Sequence, residues 1–106
     1  MRTDHRDILS VLGHFFLEHG QTDKALVLLN ALQALFPEDP DIAKSLSYAC
    51  LQAGRYQEAL DAASRGIAER DAAFIHLLRS KALWGLGRAD EARACLARYL
   101  ALRSSG

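Results

Sequence analysis

Apolar residues recur along most of this chain at the three-to-four-residue spacing that lines one face of a helix. Ile8, Leu9, Leu12, Phe15 and Phe16 follow it up to His19-Gly20, where a glycine just past the periodic run is a common helix stop. Ala25, Leu26, Leu28, Leu29, Leu32, Leu35 and Phe36 repeat the spacing until Pro37. Asp39-Pro40-Asp41 then reads as an N-cap, a proline at the first helical position and an acidic first turn. The pattern predicts six helices, over about 4–19, 22–36, 40–53, 56–69, 72–86 and 89–103. Gly54 and Gly87 are further stops, and Asp71 is placed to cap the fifth helix. No segment alternates with the period of two that a strand shows, so the fold class is all-α.

The punctuation repeats. A glycine stands five residues before an alanine at Gly20/Ala25, Gly54/Ala59 and Gly87/Ala92, in steps of 34 and then 33 residues. Arrayed helix pairs have periods of that length. Short loops force antiparallel neighbours, so each repeat is a helical hairpin. One hairpin cannot bury both of its apolar faces, and stacking makes a continuous core. The chain therefore reads as one domain, residues 1–106, of three stacked hairpins in an α-solenoid. The repeats fall at about 4–37, 40–70 and 72–103.

The first repeat resembles the tetratricopeptide pattern. Leu12-Gly13, Phe16, Gly20, Ala25 and Pro37 stand where that pattern has its Leu-Gly, aromatic, glycine, alanine and proline. Repeat two keeps Leu46, Gly54, Tyr56 and Ala59, with Ser47 and Cys50 in place of the first glycine and the aromatic. Repeat three keeps Gly87 and Ala92, with Ser80 and Leu83 at the corresponding places. Small side chains remain small at 47 and 80, which preserves the close approach of the two helices. The segments from Gly20 to Leu32 and from Ala92 to Leu102 look like the small chaperones of bacterial type III secretion. Among these the chain is most similar to the YscY family. That resemblance implies a cytoplasmic protein that holds a secreted, YscX-like partner before export, the pair then engaging the export gate.

The tetratricopeptide resemblance also implies that the first helix of each hairpin lines a concave groove. In that register the groove-facing candidates are Asp7, Ser10, His14 and Leu17, then Asp41, Lys44, Tyr48 and Leu51, then Phe74, Leu77, Lys81 and Trp84. Aromatic and aliphatic groups with a few charges suit an amphipathic or extended peptide, with Tyr48 and Trp84 as anchors. The competing reading for Phe74, Leu77 and Trp84 is packing between hairpins, since a register shift of one residue swaps faces. Some arrays of this type clamp a terminal carboxylate. Lys44 holds one such position, but Tyr48 stands where an asparagine is expected and Lys81 alone does not rebuild the clamp, so an internal apolar segment is the expected cargo. On the last helix Leu96, Tyr99, Leu100 and Leu102 surround much of the circumference, with no polar capping helix after them. They either fold back onto the fifth helix or leave an open strip, which implies a partner or a homodimer.

Composition narrows the picture. Lys+Arg and Asp+Glu both number 13, so the net charge is zero and no basic cluster invites nucleic acid. No run approaches the ~18 apolar residues of a membrane span, and the polar start Met1-Arg2-Thr3-Asp4 lacks the look of a signal peptide. Cys50 and Cys95 carry no pairing signature, so reduced thiols and a cytoplasmic location are expected. Cys50 reads as a buried inert thiol, and Cys95 as either core or surface.

Candidate chemistry is sparse. His5-Arg6-Asp7 echoes a kinase catalytic loop without the asparagine or glycine-rich loop that would go with it. His14 and His19 lie five apart, on different helix faces, and form no metal pair, while His76 reads as a solvated or groove-edge residue. Glu58, Asp61, Glu69, Asp90 and Glu91 lie beside arginines on polar stretches and serve solubility and helix stability. With no nucleophile, base and orienter to assemble, the expectation is a binding protein without metal, cofactor or catalytic role. The secretion chaperone leads; a general tetratricopeptide adaptor, or a self-associating array, is the alternative.

Overall fold

The computed structural model describes residues 5–65 and 71–104, with side chains from 11 onward. Its six helices are α1 (His5–Glu18), α2 (Thr22–Leu35), α3 (Pro40–Gln52), α4 (Tyr56–Ala63), α5 (Ala72–Gly85) and α6 (Ala89–Ser104). No strand occurs among the described residues.

Each hairpin turns in the same way. Gly20, Gly54 and Gly87 hold φ of 71°, 74° and 78°, a conformation that costs an L side chain roughly 1–2 kcal/mol. The left-handed residue lets two amide groups point back into the helix. Gln21 N–H reaches Phe16 O at 2.8 Å, Arg55 N–H reaches Cys50 O at 2.9 Å, and Arg88 N–H reaches Leu83 O at 2.9 Å. These bonds satisfy carbonyls that a helix end leaves orphaned. Four residues into each second helix stand Ala25, Ala59 and Ala92, at most 1% exposed.

The two later repeats add a bond that size alone did not predict. Ser47 Oγ donates to Ala59 O at 2.8 Å and Ser80 Oγ donates to Ala92 O at 2.9 Å. The serines thus lock the hairpin across its closest approach, as well as being small.

Helices α1/α2, α3/α4 and α5/α6 pack as antiparallel pairs, and α2 on α3 and α4 on α5 join the pairs. Among the described residues, α3 also touches α1 and α5, whereas α2 and α4, or α4 and α6, do not meet. The first helices therefore crowd together while the second ones splay, and the α1/α3/α5 side is concave. The main core runs through all three pairs: Leu17 and Leu29 from the first, Leu46, Cys50 and Ala59 from the second, Ala82 from the third. Phe16 lies half-buried against it. Full burial of a leucine such as Leu29 is worth about 1.5–3 kcal/mol.

Two expectations need correction. Helix α4 was expected to run to Glu69, but it ends at Ala63, where Ser64 caps it and its hydroxyl donates to Leu60 O at 2.9 Å. A serine that satisfies the preceding turn, with a glycine at 66, weakens continuation; the rest of that expectation, 66–70, lies outside the described residues. Asp39 caps α3 as expected, accepting from Asp41 N–H at 2.9 Å, but Asp71 makes no side-chain cap on α5. Its carboxylate is taken by Lys44.

Candidate functional site

Three helices position the concave face. Helix α1 supplies His14 and Leu17, α3 supplies Lys44, Tyr48 and Leu51, and α5 supplies Phe74, Leu77 and Lys81. These side chains recur three and four residues apart, so each helix presents one stripe. Two polar links hold the stripes together. His14 Nε2 and Ser45 Oγ share a hydrogen bond of 2.9 Å between α1 and α3. Lys44 Nζ donates to Asp71 Oδ1 at 3.1 Å, joining α3 to the start of α5, and lies 5.8 Å from the Phe74 ring centroid. A partly buried lysine so placed holds Phe74 by cation–π attraction as well as by packing.

Between the stripes lie two adjoining hollows of about 240 Å³ each. His14, Leu17, Lys44, Ser45, Tyr48 and Phe74 line the first, almost wholly with apolar atoms. Tyr48, Leu51, Gln52, Phe74, Leu77, Leu78 and Lys81 line the second. Tyr48 and Phe74 belong to both and remain 41% and 39% exposed. Lys81 is exposed and has no carboxylate partner among the described residues. The second hollow therefore carries at its rim a cation with no ion pair among the described residues.

Eight of the expected groove residues come together in this way: His14, Leu17, Lys44, Tyr48, Leu51, Phe74, Leu77 and Lys81. Leu17 serves twice, since it is also a member of the core. Trp84 is 62% exposed and lines neither hollow, one turn beyond their end. Asp41 sits in the capped first turn of α3 and also lines neither; the side chains of Asp7 and Ser10 lie outside the described residues. Ser45, Gln52 and Leu78 line the hollows without having been expected. Each adjoins an expected residue in sequence, so a stripe drawn one position wider would have included them.

On α6, Leu96, Leu100 and Leu102 are 40%, 52% and 42% exposed, and the helix buries only Ala92 and Cys95. These three of the four strip residues thus lie at the surface of the described residues. Tyr99 is half-buried under the Arg103 guanidinium, which donates to its hydroxyl at 3.1 Å. Cys95 is core, and Cys50 is buried with its thiol pushed above the ordinary range by loss of solvent, and secondarily by Glu58. His76 departs from expectation: it is half-buried between α5 and α6 rather than at the groove edge. Among the described residues no group of three His, Cys, Asp or Glu could hold a metal ion, and no helix is long and apolar enough to cross a membrane.

Comparison with known proteins agrees with the fold. The family model for the tetratricopeptide repeat matches residues 11–74, more than half of the chain, and a second tetratricopeptide model matches 73–98. No curated protein matches. A solved structure of MamA (AMB-1) superposes with a TM-score of 0.86 and 21% identity, over 97% of this chain and 62% of that one. At such identity the likeness is one of fold, and the chain spans less than two thirds of that protein's length. The chain belongs to the tetratricopeptide repeat family.

Proposed function

We propose that this chain is a protein-interaction adaptor whose three repeats (about 4–37, 40–70 and 72–103) act together to hold an apolar segment of another polypeptide. The observation that carries the reading is the pair of adjoining apolar hollows on the concave side, sharing Tyr48 and Phe74. Rings that stay two-fifths exposed at the centre of a groove gain most when a partner excludes water from them. Lys81 at the rim favours a segment with an acidic residue beside its apolar ones. No step of this role calls for catalysis, and two buried free thiols fit a reducing cytoplasm.

The narrower reading, a type III secretion chaperone that holds a YscX-like cargo and with it engages the export gate, rests on the length of the sequence, its three repeats and the two helical segments. The matched family models support the general adaptor. Self-association is a second reading, supported by the exposed Leu96 and Leu100 of α6; light scattering that finds only monomer at high concentration would dismiss it.

The test of the main reading is peptide selection from a random display library, followed by fluorescence polarisation. Selected peptides should be apolar with an acidic neighbour, and Tyr48→Ala and Phe74→Ala should each weaken them about tenfold or more. Trp84→Ala should leave affinity within about twofold, since a single rim residue is usually near neutral. Peptides indifferent to both Tyr48→Ala and Phe74→Ala would sink the proposal.

A further inference from the structure

Across α5 from the groove, the third hairpin departs from the second in a way that packing does not require. The repeat step of 33 residues, marked by the equivalent bonds of Ser47 to Ala59 O and Ser80 to Ala92 O, aligns the two. In the second hairpin the face between its helices carries Ala43, Leu46 and Ala62, all at most 4% exposed. The aligned positions in the third are His76, Arg79 and Cys95. Two apolar residues have been replaced by an imidazole and a guanidinium.

Those groups surround a cavity of about 290 Å³ lined by His76, Arg79, Ala94, Cys95 and Arg98. His76 Nδ1 and Arg79 Nε are buried there and make no hydrogen bond. A buried donor left unpaired costs about 1–3 kcal/mol, more for a charged group. Neither Arg79 nor Arg98 pairs with a carboxylate among the described residues, although Arg55, Arg88 and Arg93 each do. Burial, with Arg79 and Arg98 adding repulsion, pulls the His76 imidazole below the ordinary histidine range. An anion between these groups would remove the repulsion and supply the missing acceptors.

We propose that this cavity is an oxyanion site for a phosphate group, borne either by inorganic phosphate or by a phosphate monoester. Two guanidiniums match the charge of a dianion better than that of a single carboxylate, the arginine fork suits its paired oxygens, and the neutral imidazole adds a hydrogen bond. The site is separate from the groove and does not depend on the adaptor reading.

Titration of the ¹⁵N-labelled full chain at pH 7 tests it, using sodium phosphate, sodium acetate and sodium chloride at equal ionic strength. Phosphate should give saturable amide shifts confined to α5 and α6 around residues 76, 79, 95 and 98, with acetate at least tenfold weaker. Arg79→Lys keeps the charge but loses the fork, and Arg98→Gln alters an exposed residue that the fold does not need. Each should weaken phosphate at least tenfold with unchanged far-ultraviolet circular dichroism, while Arg93→Gln has no effect. O-phosphoserine distinguishes the sources: tighter binding than inorganic phosphate assigns the ester, and equal binding the free anion. Shifts that follow ionic strength alone, acetate saturating as readily as phosphate, or Arg79→Lys and Arg98→Gln binding like wild type would overturn the proposal.

Discussion

Gly85, the last residue of α5, faces the ring of Tyr56 at the start of α4. A Cβ added there would stand 2.5 Å from Tyr56 Cδ1 and 2.6 Å from two further ring atoms. Restoring the 3.4 Å of an ordinary contact moves the ring back by about 0.9 Å. Overpacking of that size costs about 1–3 kcal/mol. Against it, replacing glycine by alanine within a helix gains at most about 1 kcal/mol, and less at the final residue. Gly85→Ala should therefore destabilise the protein by about 0.5–2 kcal/mol, read from urea unfolding followed by circular dichroism. The decisive measurement is the same substitution in a Tyr56→Ala background. With the ring gone the clash disappears, only the helix gain is left, and the sign should reverse to a stabilisation of up to about 1 kcal/mol. Gly13→Ala is the milder comparison, since its Cβ would meet the buried Leu29 side chain at 3.3 and 3.5 Å and Leu28 Cδ2 at 4.0 Å; its cost should be smaller than that of Gly85→Ala, by about 1 kcal/mol or more. An equal cost for Gly85→Ala with and without the Tyr56 ring would refute the steric explanation.

Three further outcomes are expected. Ser47→Ala and Ser80→Ala each remove a buried hydroxyl that donates to the partner helix, and each should cost about 1 kcal/mol in urea unfolding; a neutral Ser47→Ala would mean that smallness alone matters there. His76 has a lowered pKa in the fold, from burial and from Arg79 and Arg98, so the unfolded chain takes up its proton first as pH falls. Stability should be full above the ordinary histidine value of about 6.5 and decline below it. The difference in melting temperature between wild type and His76→Gln should narrow over that range, and a pH-independent difference would contradict the linkage. Cys50 has a raised pKa because it is buried, so its stabilising contribution is complete below the unfolded thiol's pKa and is lost as pH rises past it. At pH 8 iodoacetamide should label it far more slowly than the same thiol in urea, by mass spectrometry; equal rates would show that the site is open.

Local text was enough for the features that a few neighbouring residues decide. The three glycine stops were legible because a helix end of this kind needs positive φ, which glycine adopts without penalty, and the alanine five residues later follows from the close helix approach. Asp39 was legible as a cap because its partners, the Asp41 and Ile42 amides, are two and three residues away. The register of His14, Lys44, Tyr48, Phe74 and Lys81 was implied by the tetratricopeptide resemblance, with helical periodicity spacing the residues along each stripe. Only the packed arrangement decided what depends on distant residues. Asp71 makes no side-chain cap on α5, and Lys44, 27 residues earlier in the chain, reaches its Oδ1 instead. Ser45 lines the groove because His14, 31 residues away, meets it. His76 and Arg79 gained a shared cavity with Arg98 only when α6 folded across α5. Backbone preference acts over one helical turn, whereas a pocket is made by side chains from separate turns, and their meeting is set by how the hairpins stack.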